Sequence, residues 1–231
     1  MNKINSNARI TELDGLSDTL VRLYKADKSA TKDAFVAATM AEVEKLSADI
    51  TTAILQDKAV STLETADAKR DAAIIALGKM LAGYAAFPIP AKKAAAEPLL
   101  AVYEKYSKAG ITRASYISES SMVESMLEDF AADSLAEHIA GLDGIAEAVT
   151  AIRAAQDAFT AASDAYTTAS GNKGASATSV KKPLLSAIND KLVPYLTAMQ
   201  IATNENCAAF AAGVEAEITR VNEAVAKRGK K

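Results

Sequence analysis

Asp67, Arg70 and Asp71 are the side chains whose types and spacing best suit chemistry. They stand three and four residues apart, one helical turn, so a guanidinium can bridge two carboxylates through charge-assisted hydrogen bonds. Such a cluster serves either as a buried polar site gripping a ligand or as an ion-pair cluster on a helix surface or between helices. Its spacing favours the ion pair. Other catalytic constellations are poorly supplied. His138 is the single histidine and follows Glu137 directly, whereas di-metal sites in helical bundles take inward carboxylates and Glu-x-x-His spacing from two helices. Nucleophilic catalysis would need that same histidine beside Cys207 or a serine, without a nucleophile-elbow motif to frame it. No phosphate-binding P-loop or dinucleotide fingerprint occurs. The expectation is therefore a protein with no catalytic residues, no cofactor and no metal.

Three further groups could face partners. Met122, Met126 and Phe130 form a soft apolar stripe that could receive a helix, although such spacing also describes core. Lys92 with Lys93, and Lys181 with Lys182, lie near expected helix starts and could contact an acidic partner or be solvated. The basic end, Ala-Lys-Arg-Gly-Lys-Lys, reads as a solvated tail.

The elements that must hold these residues are helices. Alanine supplies 51 of the 231 residues, against 10 glycines and 5 prolines, so summed propensity points to an all-α fold. With no tryptophan and only 5 phenylalanines, the core falls to Leu, Ile, Val, Met and Ala, and small contacts favour narrow bundles. A formal charge of −3, from 26 basic and 29 acidic residues, lacks the basic face that neutralises phosphates, so no nucleic-acid partner is expected. One cysteine, Cys207, excludes an intramolecular disulfide and reads as a small apolar residue. No signal-type segment or window of roughly 18 to 20 apolar residues appears, which points to the cytoplasm and no transmembrane segment.

Periodicity predicts about eight helices. Leu13, Leu16, Leu20 and Leu23 mark the first, and Phe35, Val43, Leu46, Ile50 and Ile54 the second. A third covers residues 60–84, with Ser61 or Thr62 as its N-cap, Glu64 and Thr65 where a capping box would want them, and Pro88 and Pro90 beyond its end. The fourth covers about 91–108, closed by Gly110; the fifth starts after Ser118 and breaks near 131–134. The sixth holds Ile145 to Tyr166 and stops at the glycine and serine loop 170–179; the seventh passes Pro183 and Pro194; the eighth follows Thr203 or Asn204.

Two stretches, TLETADAKRD followed by its apolar stripe and SYISESSMVESMLEDF at 115–130, resemble a bacterial all-helical family catalogued as a domain of unknown function. The resemblance implies a helical, duplicated protein and carries no catalytic residue. A duplication also follows from sliding the chain by 89 residues, which lays Lys92-Lys93 on Lys181-Lys182, Leu63 on Ile152, Leu99 on Ile188 and Tyr106 on Tyr195. Asp67, Arg70 and Asp71 then fall on Gln156, Phe159 and Thr160. The expected organisation is two tandem antiparallel helical-bundle units, 1–110 and 115–231, packed separately or as one domain. The function expected is that of a non-catalytic interaction or scaffold protein with an unidentified protein partner or a second copy of itself. The alternative is a bundle that binds a small apolar ligand or coats a hydrophobic surface.

Overall fold

A computed structural model describes residues 1–171, 175–202 and 205–228, and all its regular structure is helical. The α-helices are α1 (Ile10–Ala26), α2 (Ala34–Ala85), α3 (Pro90–Lys108), α4 (Tyr116–Phe130), α5 (Asp133–Ala140), α6 (Ile145–Ser170), α7 (Ala177–Ser186), α8 (Val193–Ile201) and α9 (Ala208–Arg228). A π-helical stretch, Ala187–Leu192, joins α7 to α8. Counting that rod once gives eight helices among the described residues. Thr203 and Asn204, after which the last helix is expected, the centre of the glycine and serine loop and the last three residues of the basic tail lie outside them.

The punctuation residues act as their chemistry requires. Pro90 opens α3 at its first position, where a missing N–H costs nothing. Gly110 takes the left-handed conformation, φ 79°, just beyond the end of α3. Ser115 caps α4 by accepting a hydrogen bond from the Ser118 N–H. The π-helical stretch stands immediately before Pro194, whose ring would crowd a carbonyl four residues back in a regular α-helix, and the wider turn makes room.

One expectation fails. No helix starts at Ser61 or Thr62, because α2 runs unbroken through 52 residues. Nothing between Leu55 and Val60 interrupts it: the sequence Leu-Gln-Asp-Lys-Ala-Val contains no glycine or proline. The hydroxyls read as caps serve inside the helix instead. Thr62 Oγ1 donates to the Lys58 carbonyl at 2.8 Å and Thr65 Oγ1 to that of Ser61 at 2.7 Å.

The chain also divides at places other than the expected boundary near 110–115. One compact unit comprises Met1–Asp57 with Ala169–Lys231, and the other Lys58–Thr168. The division falls inside α2, where no loop composition marks it, and at the last residues of α6, just before the glycine and serine loop. In the first unit, Leu13, Leu16 and Leu20 of α1 join Met40, Val43 and Ile50 of α2, Leu184 and Leu196 of the α7–α8 rod, and Val214 and Ile218 of α9. The chain ends close this unit. Asn189, in the π-helical stretch, exchanges two hydrogen bonds with the backbone of Ile4, and Asn222 of α9 does the same work for Lys3 and Asn5. Cys207 lies fully buried in this core, as a small apolar residue would.

In the second unit, Ile74, Leu77 and Leu81 of α2 pack with Leu99 and Tyr106 of α3, Val123, Met126 and Phe130 of α4, and Ile145 and Ile152 of α6. Gly78 lets α2 and α3 meet closely, since a Cβ there would overlap the Tyr103 ring. Gly78→Ala should therefore lower stability by about 1 to 3 kcal/mol in urea unfolding, as overpacking does. This would occur although alanine gains nearly 1 kcal/mol in helix propensity.

Tyr106 and Tyr195 each place the hydroxyl on a carboxylate. Tyr106 donates to Asp129 at 2.7 Å and Tyr195 to Asp33 at 2.8 Å, the latter with its ring stacked on Phe35. Tyr106→Ala should cost about 2 to 4 kcal/mol in chemical denaturation, the scale for truncating a buried aromatic, and Tyr106→Phe only about 1 kcal/mol.

Candidate functional site

Within the second unit, α2 presents Asp67, Arg70 and Asp71 towards α4 and α6, and Arg70 is the centre of what they build. Its side chain is fully buried. Nη2 donates to Asp67 Oδ1 at 2.7 Å and forms an ion pair with Glu119 Oε2 of α4 at 2.9 Å. Nη1 donates to Ser120 Oγ at 2.9 Å and to Gln156 Oε1 of α6 at 3.1 Å. The guanidinium lies 3.7 Å from the centroid of the Phe159 ring, a cation–π contact in a dry setting. Three helices thus meet on one charge, which is the inter-helix form of the ion-pair cluster.

Burial governs the electrostatics. Glu119 is only 2 % exposed, and its carboxyl is pushed up to about 7. Desolvation is the largest cause; Arg70 opposes it, and the neighbouring Asp71 and Asp67 charges add to it. The Asp71 carboxyl is also raised, again chiefly by burial. Three buried polar atoms here have no hydrogen-bond partner when both acids are charged: Arg70 Nε, Asp71 Oδ1 and Glu119 Oε1.

Sequence reasoning found Asp67, Arg70 and Asp71 through their one-turn spacing, and the structure brings all three together. It missed Glu119, Ser120, Gln156 and Phe159 as their partners. A signal was present in two places: Glu119 and Ser120 lie in the SYISESSMVESMLEDF stretch, and Gln156 and Phe159 are the positions that the 89-residue register lays on Asp67 and Arg70.

The other candidates disperse. Met126 and Phe130 are core residues and Met122 packs against the same core, so that stripe faces inward and is not a partner-facing surface. Lys92 donates to the Gly141 carbonyl at 2.8 Å at the end of α5, and Lys181 to the Ala8 carbonyl at 2.7 Å. Each lysine ties down a backbone segment rather than standing free. His138 is half-buried in the last turn of α5. Among the described residues, no three His, Cys, Asp or Glu side chains are arranged to hold a metal ion. No helix among them is long and apolar enough to cross a membrane.

This all-α chain belongs to a family of unknown function (DUF6261), whose model matches residues 60–215. No curated protein and no solved structure matches the chain.

The geometry makes Arg70 the costliest side chain of the cluster to remove. Arg70→Met would leave the buried Glu119 and the partly buried Asp67 without their cation, and should destabilise the protein by about 3 to 5 kcal/mol in urea unfolding at neutral pH. Arg70→Lys should recover only part of that loss, because an ammonium cannot reproduce a planar fork with four acceptors.

Proposed function

We propose that the protein is a non-catalytic helical interaction protein of the cytoplasm, which acts by presenting its helix surfaces to a partner. The observation that carries this reading is the burial of Arg70 and Glu119. A group that performs catalysis must reach its substrate, whereas this guanidinium spends its charge on internal carboxylates, an amide, a hydroxyl and a ring. The cluster fixes helices, and fixed helices make a surface.

The surface best suited to a partner is the outer groove between α2 and α6 of the second unit. It has a volume of about 530 Å³ and is lined by Thr62, Thr65, Ala66 and Lys69 on one wall and by Ala158 and Ala162 on the other. Small side chains let a helix approach closely. The hydroxyls of Thr62 and Thr65 are already taken up by their own helix backbone, so the walls are less polar than their composition implies. Lys69 lies in the groove, and Lys58 precedes Thr62 by one turn on the same face of α2. The occupant proposed is therefore an amphipathic partner helix with a small apolar face and acidic flanks.

The coat reading draws support from Ile117, 86 % exposed at the start of α4 beside the partly exposed Tyr116. It predicts binding to neutral lipid vesicles that is lost in Ile117→Asp.

The internal repeat belongs to the same proposal. Its support is that register-equivalent residues do equivalent work: Lys92 and Lys181 each hold a distant backbone carbonyl, and Tyr106 and Tyr195 each hold a carboxylate.

Ala154→Arg combined with Ala158→Arg would fill the groove from exposed positions and should leave thermal stability nearly unchanged. Quantitative affinity capture from the native cell, comparing parent and variant, should show a protein partner that the parent retains and the variant loses at least ten-fold. Equal capture by both would remove the groove from the account, and turnover of a substrate by the purified protein would overturn the non-catalytic reading.

A further inference from the structure

Around Arg70 the charges do not balance. The groups facing the cluster are Glu64, Asp67, Arg70 and Asp71 from α2, Tyr116 and Glu119 from α4, and the uncharged Gln156 and Phe159 from α6. Arg70 answers Asp67 and one oxygen of Glu119. Arg70 makes no ion pair or hydrogen bond with Asp71, although its charge favours the Asp71 carboxylate, and the second oxygen of Glu119 is unmatched. The two carboxyls left over are each other's neighbours, and each has one buried oxygen without a donor, Asp71 Oδ1 and Glu119 Oε1. Two acceptors cannot satisfy each other. One proton between them can, by turning one carboxyl into an O–H donor to the other.

We propose that Asp71 and Glu119 hold a single proton between them, and that this shared proton makes the joint of α2 with α4 a pH-sensitive latch. With the proton present, the cluster carries Arg70 against Asp67 and one further negative charge. Without it, three carboxylates, Glu119 buried and Asp67 and Asp71 partly buried, surround one buried guanidinium, and α4 is repelled from α2. The Arg153–Glu124 ion pair, 2.7 Å, joins α6 to α4 at the surface and survives this change, so the effect is confined to the α2–α4 contact.

The direction follows from proton linkage. The Glu119 carboxyl, with an ordinary value of 4.5, is raised to about 7 in the folded protein. The folded state therefore binds more protons than the unfolded state between those values, and stability falls as pH rises. The contribution is complete below about pH 4.5 and lost as pH passes through about 7.

Glu119→Gln and Asp71→Asn each replace the proton with a permanent N–H donor of nearly the same shape. Urea unfolding of the parent and both variants at pH 5 and at pH 8 tests the latch. Each single variant should match the parent at pH 5 and have a higher unfolding midpoint than the parent at pH 8. The carboxyl carbon of Glu119, followed by NMR in the parent, should titrate near pH 7, and in Asp71→Asn its titration should move well below that. Parent and variants changing in parallel between the two pH values, or a Glu119 carboxyl that titrates near 4.5 in the parent, would overturn the proposal. A variant that is unstable at both pH values leaves the decision to the NMR titration of the parent, which needs no substitution.

Discussion

A fully buried guanidinium is the constraint on which the second unit is arranged. Taking Arg70 out of water is costly, and the protein recovers that cost only by bringing acceptors from three helices to one point. Asp67 comes from the same helix one turn earlier, Glu119 and Ser120 from the start of α4, and Gln156 from the middle of α6. The apolar contacts of this unit are interchangeable in kind, since leucine, isoleucine and valine can trade places with modest loss of stability, uniqueness of packing being lost first. The Arg70 contacts are not interchangeable: a shift of α4 by one residue would remove Glu119 from the guanidinium. Hydrophobic burial provides most of the driving force, and the charge cluster fixes which helix faces which.

The first unit solves the same problem of register with smaller polar groups. Ser17 and Ser47 exchange a buried hydrogen bond of 2.8 Å between α1 and α2, with Ser47 also reaching Asp18. Asn189 and Asn222 clamp the backbone of residues 3–5 to the π-helical stretch and to α9. These contacts join residues as far as 219 positions apart, so the unit is held by pairings between segments distant in sequence.

Local chemistry was legible in the sequence and long-range pairing was not. Pro90 and Gly110 punctuate the chain where residue type alone requires it and the break near 131–134 falls where expected, whereas α4 starts at Tyr116, capped by Ser115, rather than after Ser118. The same local reasoning misled at Ser61 and Thr62, because a hydroxyl that can cap a helix start can equally bond to the carbonyl four residues back inside one. Only glycine or proline could have decided the matter, and α2 has neither there. The cluster was half legible for a related reason. Asp67, Arg70 and Asp71 share one turn and can be read together, whereas Glu119 reaches Arg70 from 49 positions away and has no local mark. The unit boundary was hidden where it crosses α2, inside a continuous helix, although its second crossing lies just before the glycine and serine loop.

The central claim is that Arg70 and Glu119 are an interior charge tie, each present because of the other. A double-mutant cycle at pH 8 measures it directly, with Arg70→Met, Glu119→Gln and the combination compared in urea unfolding. The claim requires strong coupling: the combined variant should be more stable than Arg70→Met alone, because removing the second charge relieves the one stranded by the first, with a coupling of about 1.5 kcal/mol or more. Effects that simply add, within about 0.5 kcal/mol, would show that the two side chains do not depend on each other.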